Sequence, residues 1–296
     1  MEFGKHETFY LRNGWISKAI NVLEKEENKS IFSPKNMGKA IDKLGIGRAM
    51  VVSLRYWLDV FDITKEDREN NEIIKKFTDF GEILKDEDRY LERKGTLWLL
   101  HYKLATAKEK ATTWYWFFNI FKLNEFDDEI FINNLKEYIY QNGNKKVSDN
   151  TLKKDYLCLK NTYLYESYVN GNRDIEDIIS SPLRELKLIT NMGKRKTYFK
   201  TKGNINEIAP EIFYYTTIHE IPKEVNQVSI EDLTYKEKFP GKVFNLNMND
   251  IYDIVSTLEN KNYVKINRRY GSSYIEIIER NEKGILSNYY SNYKID

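Results

Sequence analysis

Over residues 112–121 the chain reads TTWYWFFNIF, and shortly before, over 95–101, it reads GTLWLLH. Neither stretch offers a polar face. A helix that is apolar all round must be covered on every side, by lipid or by other parts of a protein. A membrane-spanning helix needs about 20 consecutive apolar residues, and both runs fall well short of that. They are therefore expected to form a buried spine. At 296 residues, 41% of them hydrophobic and 31% charged, the chain has the apolar material to surround such a spine. That length suits two or three units rather than one small module.

Periodicity predicts what does the surrounding. Trp15, Ile16, Ala19, Ile20 and Leu23 recur at helical spacing, which predicts a helix over 15–26. Ser33-Pro34 opens a second helix, with Met37, Ala40, Ile41 and Leu44 on one face, and Gly45-Ile46-Gly47 breaks it. A third runs over 48–61, so two short helices flank a glycine turn in a helix-turn-helix pattern. The segment 73–84 then reads as strand, glycine, strand, the wing of a winged helix, with a helix over 77–84 as the alternative. A second unit repeats the theme. Asp127, Asp128 and Glu129 open a helix that ends at Gln141-Asn142-Gly143-Asn144, and Val147-Ser148 leads into another. A helix over 175–186, interrupted near Ser181-Pro182, precedes a hairpin over 188–199. In the last third, helices over 208–219 and 248–258 flank a turn at Phe239-Pro240-Gly241. Strands over 263–266 and 273–278 then enclose Arg268-Arg269-Tyr270-Gly271. The expected fold is α+β, mainly α, a multi-unit winged-helix or helix-turn-helix architecture with small β-hairpins. Its units are expected over 1–125, 126–225 and 226–296.

Charge argues for a partner only locally. Lys plus Arg number 47 against 45 Asp plus Glu, a net charge of +2, so the whole-chain balance favours no nucleic-acid partner. The basic hairpins carry the signal. Over 190–203 Lys194, Arg195, Lys196, Lys200 and Lys202 occur without a carboxylate, interleaved with Tyr198 and Phe199. Lys261, Lys265, Arg268 and Arg269 sit similarly among Tyr263, Tyr270 and Tyr274. Such surfaces suit phosphate contact and base stacking; the alternative is an edge strand protected by cations against sheet pairing. In the helical pairs, Lys39, Lys43, Arg48 and Arg55, and then Lys146, Lys153 and Lys154, are expected to meet phosphates or base edges, or else to form solvated helix faces. DNA is the expected partner.

Catalytic spacing is weaker. The single cysteine, Cys158, excludes an internal disulfide and a cysteine-based zinc site and fits a reducing compartment. The start Met1-Glu2-Phe3-Gly4-Lys5-His6 has no apolar core of a secretory signal, so the cytoplasm is expected. Gly45-x-Gly47 lacks the preceding strand and following Lys-Ser/Thr of a phosphate loop. His6-Glu7 offers one metal ligand and one carboxylate, or a polar cluster between units; Asp155, among lysines, is a ligand or a salt-bridge partner. His101 and Cys158 read as packed core residues.

Several strings together resemble one family: His6-Glu7-Thr8-Phe9 with Leu11-Arg12 and Gly14-Trp15, and Leu44-Gly45-x-Gly47 with Met50-Val51 and Arg55-Tyr56-Trp57. To these belong GTLWLLH over 95–101, TWYWFFN over 113–119, Leu152-Lys153-Lys154-Asp155 and Ser181-Pro182-Leu183-x-Glu185-Leu186. They resemble the uncharacterised-domain family of DNA phosphorothioation systems, the SspB-like proteins, over nearly the whole chain. Ala49 departs from the Asn expected there. The resemblance implies a component of a phage-defence system that replaces a non-bridging phosphate oxygen of DNA by sulfur, with a sulfur-transfer enzyme and an ATPase as partners and no membrane. It further implies DNA nicking with a divalent cation, Mg2+ or Mn2+; the rival readings are a non-catalytic DNA-binding scaffold or transcriptional regulator that recruits the sulfur-transfer enzymes, and a protein-interaction adaptor without DNA contact. The matched polar residues are His6, Glu7, Arg12, Arg55, His101, Lys154, Asp155 and Glu185, of which His6, Glu7 and Asp155 are the catalytic candidates.

Overall fold

The computed structural model describes residues 1–69, 72–143, 146–165, 180–191, 196–269 and 271–292. Its first helices follow the periodicity: α1 is Trp15–Leu23, α2 Met37–Leu44 and α3 Arg48–Val60. Trp15, Ile16, Ala19, Ile20 and Leu23 are all buried, as one helical face requires. Pro34 begins a single 3-10 turn that leads into α2, and Gly45 ends α2 at φ 63°. That left-handed conformation is one that glycine adopts without steric cost.

The hairpin after α3 is displaced from its expected place. β1 (Thr64–Glu69) pairs antiparallel with β2 (Glu72–Phe77) in a register running from Thr64↔Phe77 to Glu69↔Glu72. Residues 79–84, read either as the second strand of the wing or as part of a helix over 77–84, form the second of these: they belong to helix α4 (Asp79–Glu87), whose N-cap Thr78 accepts from the Gly81 amide. Gly81 is no turn residue. A Cβ there would stand 2.0 Å from the Ile63 carbonyl oxygen, so glycine is required by the close approach of α4 to the chain before β1. Strand β1, TKEDRE, was illegible as a strand because five of its six residues are exposed, leaving no alternation to read.

The two apolar runs form α5 (Lys94–Thr106) and α6 (Thr112–Asn119). Every residue of α5 from Gly95 to Ala105 is buried, and so is every residue of α6. α7 (Asp128–Gly143) and α8 (Asp149–Tyr163) follow, α8 capped by Ser148. The expected hairpin over 188–199 is present as β5 (Ile189–Asn191) and β6 (Tyr198–Lys200), but it is not a free wing. It is the middle of a four-stranded sheet of order β3-β6-β5-β4, in which β3 is Glu125–Phe126 and β4, Leu164–Tyr165, runs parallel to β5. The expected helix over 175–186 lies outside the described residues up to 179; Pro182–Leu186 is a 3-10 turn.

The last third comprises helix Pro210–His219, β7 (Gln227–Ser229), helices Ile230–Tyr235, Pro240–Val243 and Met248–Asn260, the hairpin β8 (Val264–Arg269) and β9 (Ser272–Ile277), and helix Glu282–Asn292. Its sheet order is β7-β9-β8, all antiparallel. The expected turn at Phe239-Pro240-Gly241 starts a one-turn helix, held against Thr234, whose Cα lies 2.4 Å from where a Gly241 Cβ would be. The final helix is tied to the spine: Gly95 N donates to Tyr289 Oη (2.9 Å), and Thr96 Oγ1 and Tyr290 Oη share a hydrogen bond of 2.9 Å. One hydrophobic cluster runs from Leu11 to Tyr290 through all three expected units. The fold is mixed, mainly helical, with small and mostly antiparallel sheets.

Candidate functional site

Two of the three catalytic candidates meet. His6 Nε2 lies 2.9 Å from Asp155 Oδ1. The Thr8 amide donates to His6 Nδ1 at 3.1 Å, so that nitrogen is an acceptor and the proton sits on Nε2, pointing at the carboxylate. Asp155 also accepts from the Gly4 amide on Oδ1 (2.7 Å) and from Thr113 Oγ1 on Oδ2 (2.7 Å). Three donors satisfy this carboxylate, as burial demands. The pair is 0% and 1% exposed, beneath the rings of Trp114, at 5.7 Å from the imidazole, and Tyr56, at 6.3 Å. Local sequence explains the arrangement. Gly4, at φ 70°, and Glu7 and Thr8, at φ 49° and 69°, fold the segment back so that His6 alone turns inward. Glu7 is exposed and does not join the pair.

The arrangement binds the N-terminal segment, α6 and α8 together at one point. Neither nitrogen of His6 is free to take a proton from a substrate. Cys158 beside it is no nucleophile, because burial and then the Asp155 charge push its thiol well above the ordinary range. The same causes, in the same order, push up the Tyr56 phenol, which donates to the Lys110 carbonyl. The residues also do not fit a divalent cation: the Asp155 oxygens are taken by donors, Glu7 faces away, and no group of three His, Cys, Asp or Glu among the described residues is arranged to hold a metal.

The expected DNA contacts divide sharply. Lys39, Lys43 and Arg48 are exposed around the α2–α3 turn; Lys43 donates to Asn28 Oδ1 at 2.8 Å, whereas Arg48 has no partner among the described residues. Arg55 is half-buried, its Nε 3.0 Å from Glu66 Oε1, and is committed to β1. Lys75 of β2, buried, reaches both Asp59 and Glu66. Lys76 pairs with Asp67 and Glu69. The first hairpin is therefore neutralised by its own carboxylates rather than basic. Lys153 and Lys154 are exposed on α8, and Lys196 is exposed before β6; Lys194 and Arg195 lie outside the described residues. Arg268 is exposed opposite Ser273, and Arg269 stands in register with Ser272.

Of Lys200 and Lys202, both read from sequence as part of a basic surface, only Lys202 is exposed. Lys202 pairs with Asp250. Lys200 turns inward: its Nζ donates to the carbonyls of Phe117 (2.9 Å), Phe121 (3.4 Å) and Phe118 (3.5 Å) at the end of α6. Burial pushes its ammonium pKa down to about 7. Of the other matched polar residues, Arg12 stacks over Phe9, Tyr10 and Trp15, Glu185 pairs with Lys94, and His101 is a core residue. Among the described residues, no helix is long and apolar enough to cross a membrane.

Solved structures share this architecture. A magnesium ion-bound SspB crystal structure matches with a TM-score of 0.84 and 24% identity, over 98% of this chain and 88% of that one. A second SspB crystal structure matches with the same TM-score at 23% identity, over the same shares. No curated protein matches by sequence. Residues 3–290 match the family described as protein of unknown function DUF4007, and the chain belongs to that family.

Proposed function

We propose that this chain is a DNA-engaging, cytoplasmic component of a DNA phosphorothioation system, built on winged-helix units. The observation that carries the reading is the order of its elements joined to its exposed cations. α1, α2 and α3 followed by β1 and β2, and the C-terminal helices followed by β8 and β9 in a sheet of order β7-β9-β8, are both helices followed by a hairpin. In winged helices that order sets a helix and a wing against duplex DNA. Lys39, Lys43 and Arg48 cluster on one such unit and Arg268 on the other. Fluorescence anisotropy with a labelled duplex tests it: the wild type binds, affinity falls steeply with added salt, and Lys39→Glu with Arg48→Glu weakens it about tenfold or more. Binding indifferent to salt and to both charge reversals overturns the reading in favour of a protein-interaction adaptor.

Nicking with Mg2+ or Mn2+ is the activity the resemblance adds, and one SspB structure is described as magnesium ion-bound. The sealed His6–Asp155 pair favours the second reading, a non-catalytic scaffold that recruits the sulfur-transfer enzyme and the ATPase to DNA. Supercoiled plasmid that stays intact with either cation, while still bound, supports the scaffold. Nicking by the wild type that disappears in Asp155→Asn at unchanged melting temperature restores the catalytic role.

A further inference from the structure

The two helix-and-hairpin units carry their charge on opposite parts. In the first, residues 33–50 of the α2–α3 pair hold Lys35, Lys39, Lys43 and Arg48, all exposed, against Asp42 alone. Its hairpin balances Lys65, Arg68, Lys75 and Lys76 with Glu66, Asp67, Glu69 and Glu72, and Lys75 and Lys76 are already in ion pairs. In the C-terminal unit the pattern is reversed. Between Lys242 and Lys261 there is neither Lys nor Arg, and helix Met248–Asn260 exposes Asn249, Asp253, Ser256, Thr257 and Asn260. The cleft of about 490 Å³ between the start of that helix and the hairpin is lined by Glu231 and Asp232 as well as Tyr252, Ser272 and Tyr274. The outer half of the hairpin sets Asn267, Arg268 and Arg269 opposite Tyr274, Ser273 and Ser272, with no carboxylate across the register.

Phosphate contact is the sequence-independent source of affinity for DNA, and a carboxylate placed against phosphates is repelled. We infer that the two units grip duplex DNA by different elements: the first by its α2–α3 helices, the C-terminal one by the β8–β9 hairpin, with helix Met248–Asn260 held off the phosphates. The inference rests on the DNA reading above. Lys265, exposed on β8, extends the hairpin's basic edge, though Glu276 stands opposite it. The effective charge of the hairpin is thus concentrated toward its tip.

The test is anisotropy titration of a labelled duplex by the full chain at several salt concentrations, with thermal melts to verify that each exposed substitution leaves the fold intact. Lys265→Glu with Arg268→Glu is expected to weaken binding at least about tenfold and to flatten the salt dependence by about two counterions. Asn249→Ala with Asp253→Ala is expected to leave affinity within about twofold. Helix substitutions that weaken binding as much as the hairpin reversal, or a hairpin reversal without effect, overturn the division while the DNA reading stands. A wild type that fails to bind duplex at low salt overturns the DNA reading and the division with it.

Discussion

Lys200 Nζ donates to the carbonyl of Phe117 across 2.9 Å, placing a cation at the carbonyl end of α6 inside the aromatic core. The helix C-terminus welcomes a donor there, but burial pushes the ammonium down to about 7. Its unfolded value is near 10.5, so between these two the unfolded chain binds the extra proton and folding stability rises with pH. The contribution is complete above about pH 10.5 and is lost as pH falls to about 7. Wild-type protein should therefore gain on the order of 2–3 kcal/mol between about pH 7 and pH 9, a gain that Lys200→Met should lack. Parallel stability profiles from denaturant titration would refute this.

His101 predicts a second window, on the acid side. Its Nε2 donates to the Val243 carbonyl at 2.7 Å, so Nδ1 accepts from Tyr163 Oη at 2.8 Å. Burial holds its pKa down to about 3, against an ordinary value near 6.5. The folded state refuses a proton that the unfolded state accepts, so this stability is whole above about pH 6.5 and is lost as pH falls toward 3. His101→Gln should be less stable at neutral pH yet lose less on acidification, as followed by near-ultraviolet circular dichroism. An unchanged acid profile in the variant would remove His101 from the account.

Much of this was legible in the sequence, and the exceptions have a common cause. The helices follow from apolar spacing and from breakers such as Gly45 and Pro34, because burial of one face imposes a period. The contact of His6 with Asp155 was not legible, since 149 residues separate them and only the backward fold at Gly4, Glu7 and Thr8 brings them together. Lys200 was misleading because a buried lysine is rare and its residue type reads as surface. For Lys200 a signal existed: on a strand it shares the buried side with Tyr198, with Phe199 between them less buried. Thr113, polar at the head of an aromatic run, was likewise a visible anomaly, and it is a donor to Asp155.

Two glycines should respond to the same substitution for different reasons. At Gly45, φ is 63° and nothing lies within 4 Å of an added Cβ, so Gly45→Ala should cost about 1 kcal/mol through backbone strain alone. Gly45→Asn should recover part of that, because Asn tolerates the left-handed region. At Gly81 the Cβ would collide with the Ile63 carbonyl oxygen at 2.0 Å, so Gly81→Ala must separate α4 from the chain before β1. It should cost more than Gly45→Ala, toward the upper end of the roughly 1–3 kcal/mol typical of overpacking. Equal shifts of the denaturation midpoint in the two variants would contradict this assignment.

Substitution at Asp155 and His6 separates a structural role of the pair from a catalytic one. Asp155→Asn keeps the shape but replaces a carboxylate that receives three hydrogen bonds by an amide whose own NH2 must face a donor. Each buried donor left without an acceptor by that amide costs about 1–3 kcal/mol. His6→Ala should cost less, since the Gly4 amide and Thr113 still serve Asp155. The double variant should fall short of the sum, because both changes break the same contact. Hydrogen exchange gives the specific readout: amides over residues 4–8 should lose protection in Asp155→Asn, while those of the C-terminal hairpin should keep theirs. If Asp155→Asn instead abolishes a reaction on DNA with melting temperature and N-terminal protection unchanged, the pair is catalytic and must open to act.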